Sequence, residues 1–214
     1  MSLNTAVLHY IYDPLCGWCY GAAPLVAAAR TVLPVVGHAG GMMTGANCKQ
    51  GGPGWRNYVM PHDHRIADLT GQEFGAAYFN GLLLDEEAIF DSAPPTAAIL
   101  AAEEMAGSGL DMLARLQQAH YAEGRRIADV AVLHALAVEL GLDEGVFAAA
   151  YGRINDDELQ QHITVSRRLL SQVGGHGFPT FALERDGRME VLDTGLWLGR
   201  PDAWREHLAQ MRPR

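Results

Sequence analysis

The sequence predicts an α/β fold, with a βαβ unit near the start of the chain, a ββα unit near its end, and a large all-helical insertion between the two halves. Three observations predict it. Short β-branched and aromatic runs of the kind that form buried strands occur toward both ends. Between them, the stretch from 55 to 172 reads as helices in succession. An Asp-Gly hairpin signal then couples the last two strand patterns. At 214 residues and 49% hydrophobic content, the chain can bury one sizeable core.

The elements follow in order. "AVLHYIY", residues 6–12, reads as the first strand, and the helix-like "APLVAAARTVL", residues 23–33, comes directly after it. "PVVGHAGGM" from Pro34 makes a second short strand ending in a glycine turn. A strand-helix-strand unit pairs its strands in parallel, because the crossover helix returns the chain to the same end of the sheet. In the insertion, Thr70 and Glu73 have capping-box spacing, so a helix is expected to begin there and run through "FGAAYFNGLLL". Others are expected at "PTAAILAAEEMA", "DMLARLQQAHYAEG", "DVAVLHALAVEL" up to Gly141, and "DDELQQHITVSRRLLSQV" up to Gly174-Gly175. His62-Asp63-His64 reads as part of a polar loop, and Arg167-Arg168 as an ordinary solvated helix face. After the insertion, "PTFALE" and "MEVLD" flank "RDGR", and "PDAWREHLAQM" closes the chain as an amphipathic helix opening near Pro201. The expected domains are therefore an α/β unit of residues 1–54 and 173–214 and a helical insertion of residues 55–172.

The net charge of -9 and a pI near 5.4 argue against nucleic acid and anionic lipid as partners, since both would be repelled. No run of eighteen apolar residues suggests a membrane span. The N-terminus lacks a basic region, a long apolar run and a small-residue cleavage site, which favours the cytoplasm.

The chemistry centres on "DPLCGWCYG", residues 13–21. Cys16 and Cys19 are open to three readings: half a zinc site completed by His62 and His64, a structural disulfide, or a pair that cycles between dithiol and disulfide. With Cys48 the chain has three cysteines, too few for a disulfide scaffold or a four-cysteine zinc site. A disulfide across so short a loop would constrain little of the unfolded chain. Redox chemistry gains by elimination.

A thiol attacks a disulfide as its thiolate. At a strand-helix junction, unpaired N–H groups and the helix dipole favour the negative sulfur of Cys16. Cys19, one turn later, is placed to resolve the mixed disulfide. Gly17-Trp18 between them brings no ionisable group. Cys48 has no partner in sequence and reads as structural or incidental, while Trp18 and Tyr20 form either an apolar rim or packing residues. In "GGHGFPTFAL", Pro179 opens a strand, where a proline on its own reads as an ordinary trans residue at an edge.

Together, "YDPLCGWCYGAAP", "QQAHYAEGRRIAD", "GHGFPTF" and the order of elements resemble the DsbA-like branch of the thioredoxin superfamily, particularly its bacterial, cytoplasmic, FrnE-like members. The resemblance covers essentially the whole chain and implies a thioredoxin-like fold. It also implies Cys16 as nucleophile, Cys19 as its resolving partner, and Pro179 as a cis-proline facing the pair and keeping metals away. Phe178 would pair its backbone with an extended substrate, and Thr180 and Trp18 would complete the substrate contacts. No metal and no resident cofactor are expected beyond the redox-active disulfide, with glutathione a candidate co-substrate. The implied partners are protein or small-molecule thiols and disulfides and a cellular reductant such as glutathione or thioredoxin. The periplasmic oxidants of the family carry a histidine between the cysteines, so Gly17-Trp18 points away from strongly oxidising behaviour.

Three functions are carried forward. The leading one is a thiol-disulfide oxidoreductase of the protein disulfide oxidoreductase/isomerase type. The alternatives are a glutathione-dependent isomerase or transferase, of the 2-hydroxychromene-2-carboxylate isomerase or kappa-transferase type, and a non-catalytic zinc-holding or chaperone-like module. The intact cysteine pair points away from the isomerases and transferases, which generally have a lone serine or cysteine at the nucleophile position.

Overall fold

A computed structural model of the chain describes residues 6–154 and 156–211, so the first five and last three residues of the expected α/β unit lie outside the described residues. The elements run β1 (Val7–Tyr12), α1 (Gly17–Gly21), α2 (Ala23–Arg30), β2 (Val35–Ala39), β3 (Lys49–Gln50), α3 (Pro53–Thr70), α4 (Ala76–Asn80) and β4 (Ile89–Phe90). They continue with α5 (Ala93–Ala106), α6 (Gly109–Tyr121), α7 (Val130–Glu139), α8 (Glu144–Arg153), α9 (Asp156–Gln172), β5 (Thr180–Arg185), β6 (Arg188–Leu192) and α10 (Pro201–Gln210).

The main sheet has the order β2-β1-β5-β6. β1 pairs in parallel with β2, from Leu8 opposite Val35 to Tyr12 opposite Ala39, and antiparallel with β5. β5 and β6 form the expected hairpin, whose turn residues Asp186 and Gly187 both have positive φ, at 54° and 71°. That turn geometry matches the right-handed twist of the strands, and Asp-Gly tolerates it. At the sheet centre, Tyr10 stacks on Tyr12 and Phe181 with ring centroids 5.0 and 4.6 Å apart, and Trp204 of α10 meets Phe181 edge-on at 5.8 Å. Burying each such side chain contributes about 1.5–3 kcal/mol. The sheet thereby fixes the end of β1, from which the cysteine segment emerges.

In the helical segment the sequence reading needs correction. His62-Asp63-His64, read as part of a polar loop, lies within the long helix α3, to which the sequence reading assigned no separate start or stop. Pro53 occupies the first turn, where its missing N–H costs nothing, and Gly71 ends the helix at φ 74°. Pro61 lies inside it, which costs a helix about 3 kcal/mol. Packing offsets much of this: Ile66 fills a notch over Gly17 and Gly21 of α1, where added Cβ atoms would stand 3.1 and 2.7 Å from its side chain. The expected capping box at Thr70 and Glu73 does not form. Thr70 is the last residue of α3 and its hydroxyl donates to the Ile66 carbonyl, while the next helix begins at Ala76 after Gly75. The short β3–β4 ladder and helix α8 were not foreseen either.

Candidate active site

Cys16 sits at the N-cap of α1 in an extended conformation, with Cys19 one turn further on. The helix forms because Cys19 and Tyr20 N–H both donate to the Cys16 carbonyl. By their position, the N–H groups of Gly17 and Trp18 have no partner within the helix and are left at the cysteine end. Cys16 is 6% exposed and Cys19 0%, so only the first sulfur is within reach of a substrate. Both thiols are free. Burial pushes the Cys19 thiol well above its ordinary range, and its hydrogen bond with Cys16 adds to this. Cys19 therefore waits as a protonated thiol behind Cys16.

The segment before β5 closes over the pair. The Phe178–Pro179 peptide bond is cis, and the Cys16 thiol donates to the Phe178 carbonyl at 3.5 Å. Thr180 does not face the sulfur through its hydroxyl, which donates to the Gly177 carbonyl at 2.7 Å. Trp18 lies on the wall of a cavity that Cys16 also lines, with the Arg65 guanidinium 6.0 Å from its ring centroid. The structure thus brings the Phe178 carbonyl to Cys16 and puts Trp18 on the wall of the cavity that Cys16 also lines.

Two groups that the sequence reading missed hold this arrangement. Asp13, fully buried, accepts from Leu15 N–H at 2.9 Å, from the Ser92 hydroxyl at 2.8 Å, and from Met42 N–H. Its carboxyl ties the cysteine loop to the turn after β2 and to the start of α5. Burial pushes its pKa up, and the hydrogen bonds from Met42, Leu15 and Ser92 oppose that rise. Arg167 is the second group. It is not a free solvated cation, because its guanidinium donates to the carbonyls of Gly40 and Gly41, both at 2.6 Å.

Gly40 in turn makes room for Phe178, since a Cβ there would stand 2.1 Å from the tip of the Phe178 ring. Gly40→Ala is expected to cost about 1–3 kcal/mol of stability through overpacking. It should also raise KM for a disulfide substrate more than it lowers kcat, because Phe178 must move. Denaturation and steady-state kinetics on the one variant check both, and unchanged values would show that Gly40 does not set Phe178.

The cavity beside Cys16 has a volume of about 440 Å³ and is largely apolar, with Trp18, Met42, Trp55, Tyr58 and Tyr121 among its walls. Its polar lining includes Lys49, His62 and Asp63. Asp63 is 5% exposed and accepts from the Tyr78 hydroxyl at 2.9 Å. Burial pushes its carboxyl up to about 7, with the Tyr78 hydrogen bond pulling the other way. The two histidines of the zinc reading diverge: His62 lines this cavity, whereas His64 stacks on Phe79 at 4.7 Å. Cys48 is half-buried outside it, its thiol donating to the Met43 carbonyl at 3.6 Å.

A reachable thiol at a helix start, a buried thiol one turn behind it and a peptide carbonyl facing the first define a thioredoxin-type site. A model of the DSBA-like thioredoxin domain matches residues 7–202, so the chain belongs to that family and is a thiol-disulfide oxidoreductase. The chain is 60% identical to the cytosolic disulfide reductase DsbM from Pseudomonas aeruginosa, covering 96% of this chain and 98% of that one at a TM-score of 0.90. A structure of the same protein with GSH matches over the same shares at 57% identity and a TM-score of 0.89. A candidate protein disulfide isomerase from Nitrosomonas europaea is 28% identical over 97% of both chains, with a TM-score of 0.77. The fold extends to a 2-hydroxychromene-2-carboxylate isomerase, covering 96% of this chain and 97% of that one at a TM-score of 0.57; its 16% identity makes this a likeness of fold alone. No match was found among curated proteins.

Proposed function

We propose that the chain is a cytoplasmic disulfide reductase that works through Cys16 and Cys19 on small disulfides and exposed protein disulfides, with glutathione as the thiol that returns it to the dithiol state. The observation that carries the reading is the unequal exposure of the two cysteines, 6% for Cys16 and 0% for Cys19, with the Cys16 thiol held against the Phe178 carbonyl. The likeness to DsbM, one of whose structures contains GSH, supports the choice of direction and of thiol.

Cys16 thiolate attacks one sulfur of the substrate, the substrate S–S bond breaks, and the departing sulfur leaves with the electron pair and takes up a proton. The Cys19 thiol, losing its proton, then attacks the Cys16 sulfur and releases the second half as a thiol. The enzyme is left as the Cys16–Cys19 disulfide, and two glutathione molecules reduce it while forming glutathione disulfide. The Phe178 carbonyl, which holds the resting thiol, is positioned to accept from the N–H of an extended peptide substrate. Trp18 offers an apolar surface to a substrate entering from the cavity side.

The test is reduction of hydroxyethyl disulfide, and of a disulfide-bonded protein, in the presence of glutathione. Turnover of either that depends on Cys16 supports the reading. Failure on both, with glutathione instead driving isomerisation of an unsaturated organic acid independently of Cys19, would favour the isomerase reading.

A further inference from the structure

Asp63 stands at the reacting end of the cavity. It is carried on α3, and its Oδ1 lies over Gly17, the residue that follows Cys16, where a Cβ would be 2.8 Å away. Oδ2 is taken up by the Tyr78 hydroxyl at 2.9 Å, which leaves Oδ1 at the seam between Gly17 and the cavity that Cys16 and Gly17 also line. The resting Cys16 thiol is directed to the Phe178 carbonyl, so the carboxyl is not engaged with it. A small disulfide in this cavity, with one sulfur at Cys16, places its other sulfur among aromatic and methionine side chains. A bare thiolate released there is poorly solvated, and a proton donor at that point lowers the barrier to its departure.

We propose that Asp63 is the catalytic acid that protonates the departing sulfur when Cys16 opens a small disulfide in this cavity. The inference rests on the exchange reading above. The step balances as follows. The Cys16–S bond to the near sulfur forms, the substrate S–S bond breaks with its electron pair moving to the far sulfur, and the Asp63 proton passes to that sulfur. The products are a mixed disulfide, a free thiol and the Asp63 carboxylate, which regains a proton from solvent through the cavity.

The titratable and charged groups that line the cavity with Asp63 are Cys16 on the side of α1, Tyr78 on α4, His120 and Tyr121 on α6, Lys49 on β3, and Tyr58 and His62 on α3 itself, with Arg65 of α3 over Trp18. Burial holds His120 down at about 3 and keeps Tyr78 and Tyr121 well above their ordinary values, so these three stay neutral at pH 6–8. Asp63, pushed up to about 7, changes charge within that window.

The experiment compares two reactions of Cys16 across pH 6–8: single-turnover exchange with glutathione disulfide, and alkylation by iodoacetamide. Both need the thiolate, but iodide leaves without a proton. The ratio of exchange rate to alkylation rate should fall in the native protein as pH rises through about 7, as Asp63 loses its proton. In Asp63→Asn the ratio should be flat, and at pH 6 about a hundredfold or more lower than in the native protein. Tyr78→Phe removes the hydrogen bond that favours the carboxylate, so it should move the midpoint to higher pH; it retains the acid and serves even where Asp63→Asn folds poorly. A native-like ratio in Asp63→Asn, or an unmoved midpoint in Tyr78→Phe, overturns the proposal. A native protein that is alkylated but does not exchange at all overturns the exchange reading itself, and this inference with it.

Discussion

Cys16→Ser is expected to lose disulfide exchange by about a thousandfold or more, because the serine hydroxyl is a far weaker nucleophile at neutral pH and no neighbouring group replaces the sulfur. Cys19→Ser is expected to behave differently. Its Cys16 still attacks, but nothing behind it resolves the product, so the mixed disulfide with glutathione should accumulate and appear as a mass increase of one glutathione per chain. The asymmetry follows from exposure: the outer sulfur meets the substrate, and the inner one meets only the outer. Intact-mass measurement after a pulse of glutathione disulfide distinguishes the two variants. Equal exchange by both would contradict the assignment.

Asp13→Ala is expected to be the most destabilising single change near the site. It strips the acceptor from two N–H groups, those of Leu15 and Met42, and from the Ser92 hydroxyl, all at the junction of β1, the turn after β2 and α5. Each buried donor left unpaired costs about 1–3 kcal/mol, so after partial relaxation a total loss of about 3–5 kcal/mol is expected. Ser92→Ala removes one contact of the set and also the acceptor of Met43 N–H at 3.2 Å, and should cost about 1–3 kcal/mol. Chemical denaturation of the two variants measures both values, and a loss below about 1 kcal/mol for Asp13→Ala would show that the carboxyl does not clamp the loop. Exchange should also slow in Asp13→Ala, since the segment carrying Cys16 loses its anchor to the rest of the fold.

Most of the sheet was legible because its signals are local. The apolar, β-branched and aromatic run of β1, the Asp-Gly turn between β5 and β6, and Pro201 at the start of α10 each act within a few residues. Helix α3 was hidden because its polar His62-Asp63-His64 stretch reads as loop, and Ile66 packs it on glycines of α1 through a contact the chain makes only once folded. The same error concealed Asp63 inside a stretch read as solvated. The capping-box spacing at Thr70 and Glu73 matched in letters, but α3 consumes Thr70, and the Glu73 carbonyl instead accepts from the Tyr20 hydroxyl. Arg167 looked like a surface charge because its two carbonyl partners belong to a turn distant in sequence. Within the site, the two cysteines were visible from their spacing. The cis bond before Pro179 came from family resemblance, since the local sequence suits a trans proline equally well.

Cys16 and Cys19 are expected to form a reversible redox couple poised to reduce. Gly17 and Trp18 bring no charged side chain between the cysteines, unlike the histidine of the family's periplasmic oxidants, and burial pushes the Cys19 thiol up and keeps it protonated. The most direct test is equilibration in glutathione redox buffers, read by Trp18 fluorescence and checked by thiol labelling. The account predicts one reversible two-electron transition lying nearer the thioredoxin value of about -270 mV than the DsbA value of about -120 mV. Thiols that stay reduced throughout, or a transition at the oxidising end, would contradict it.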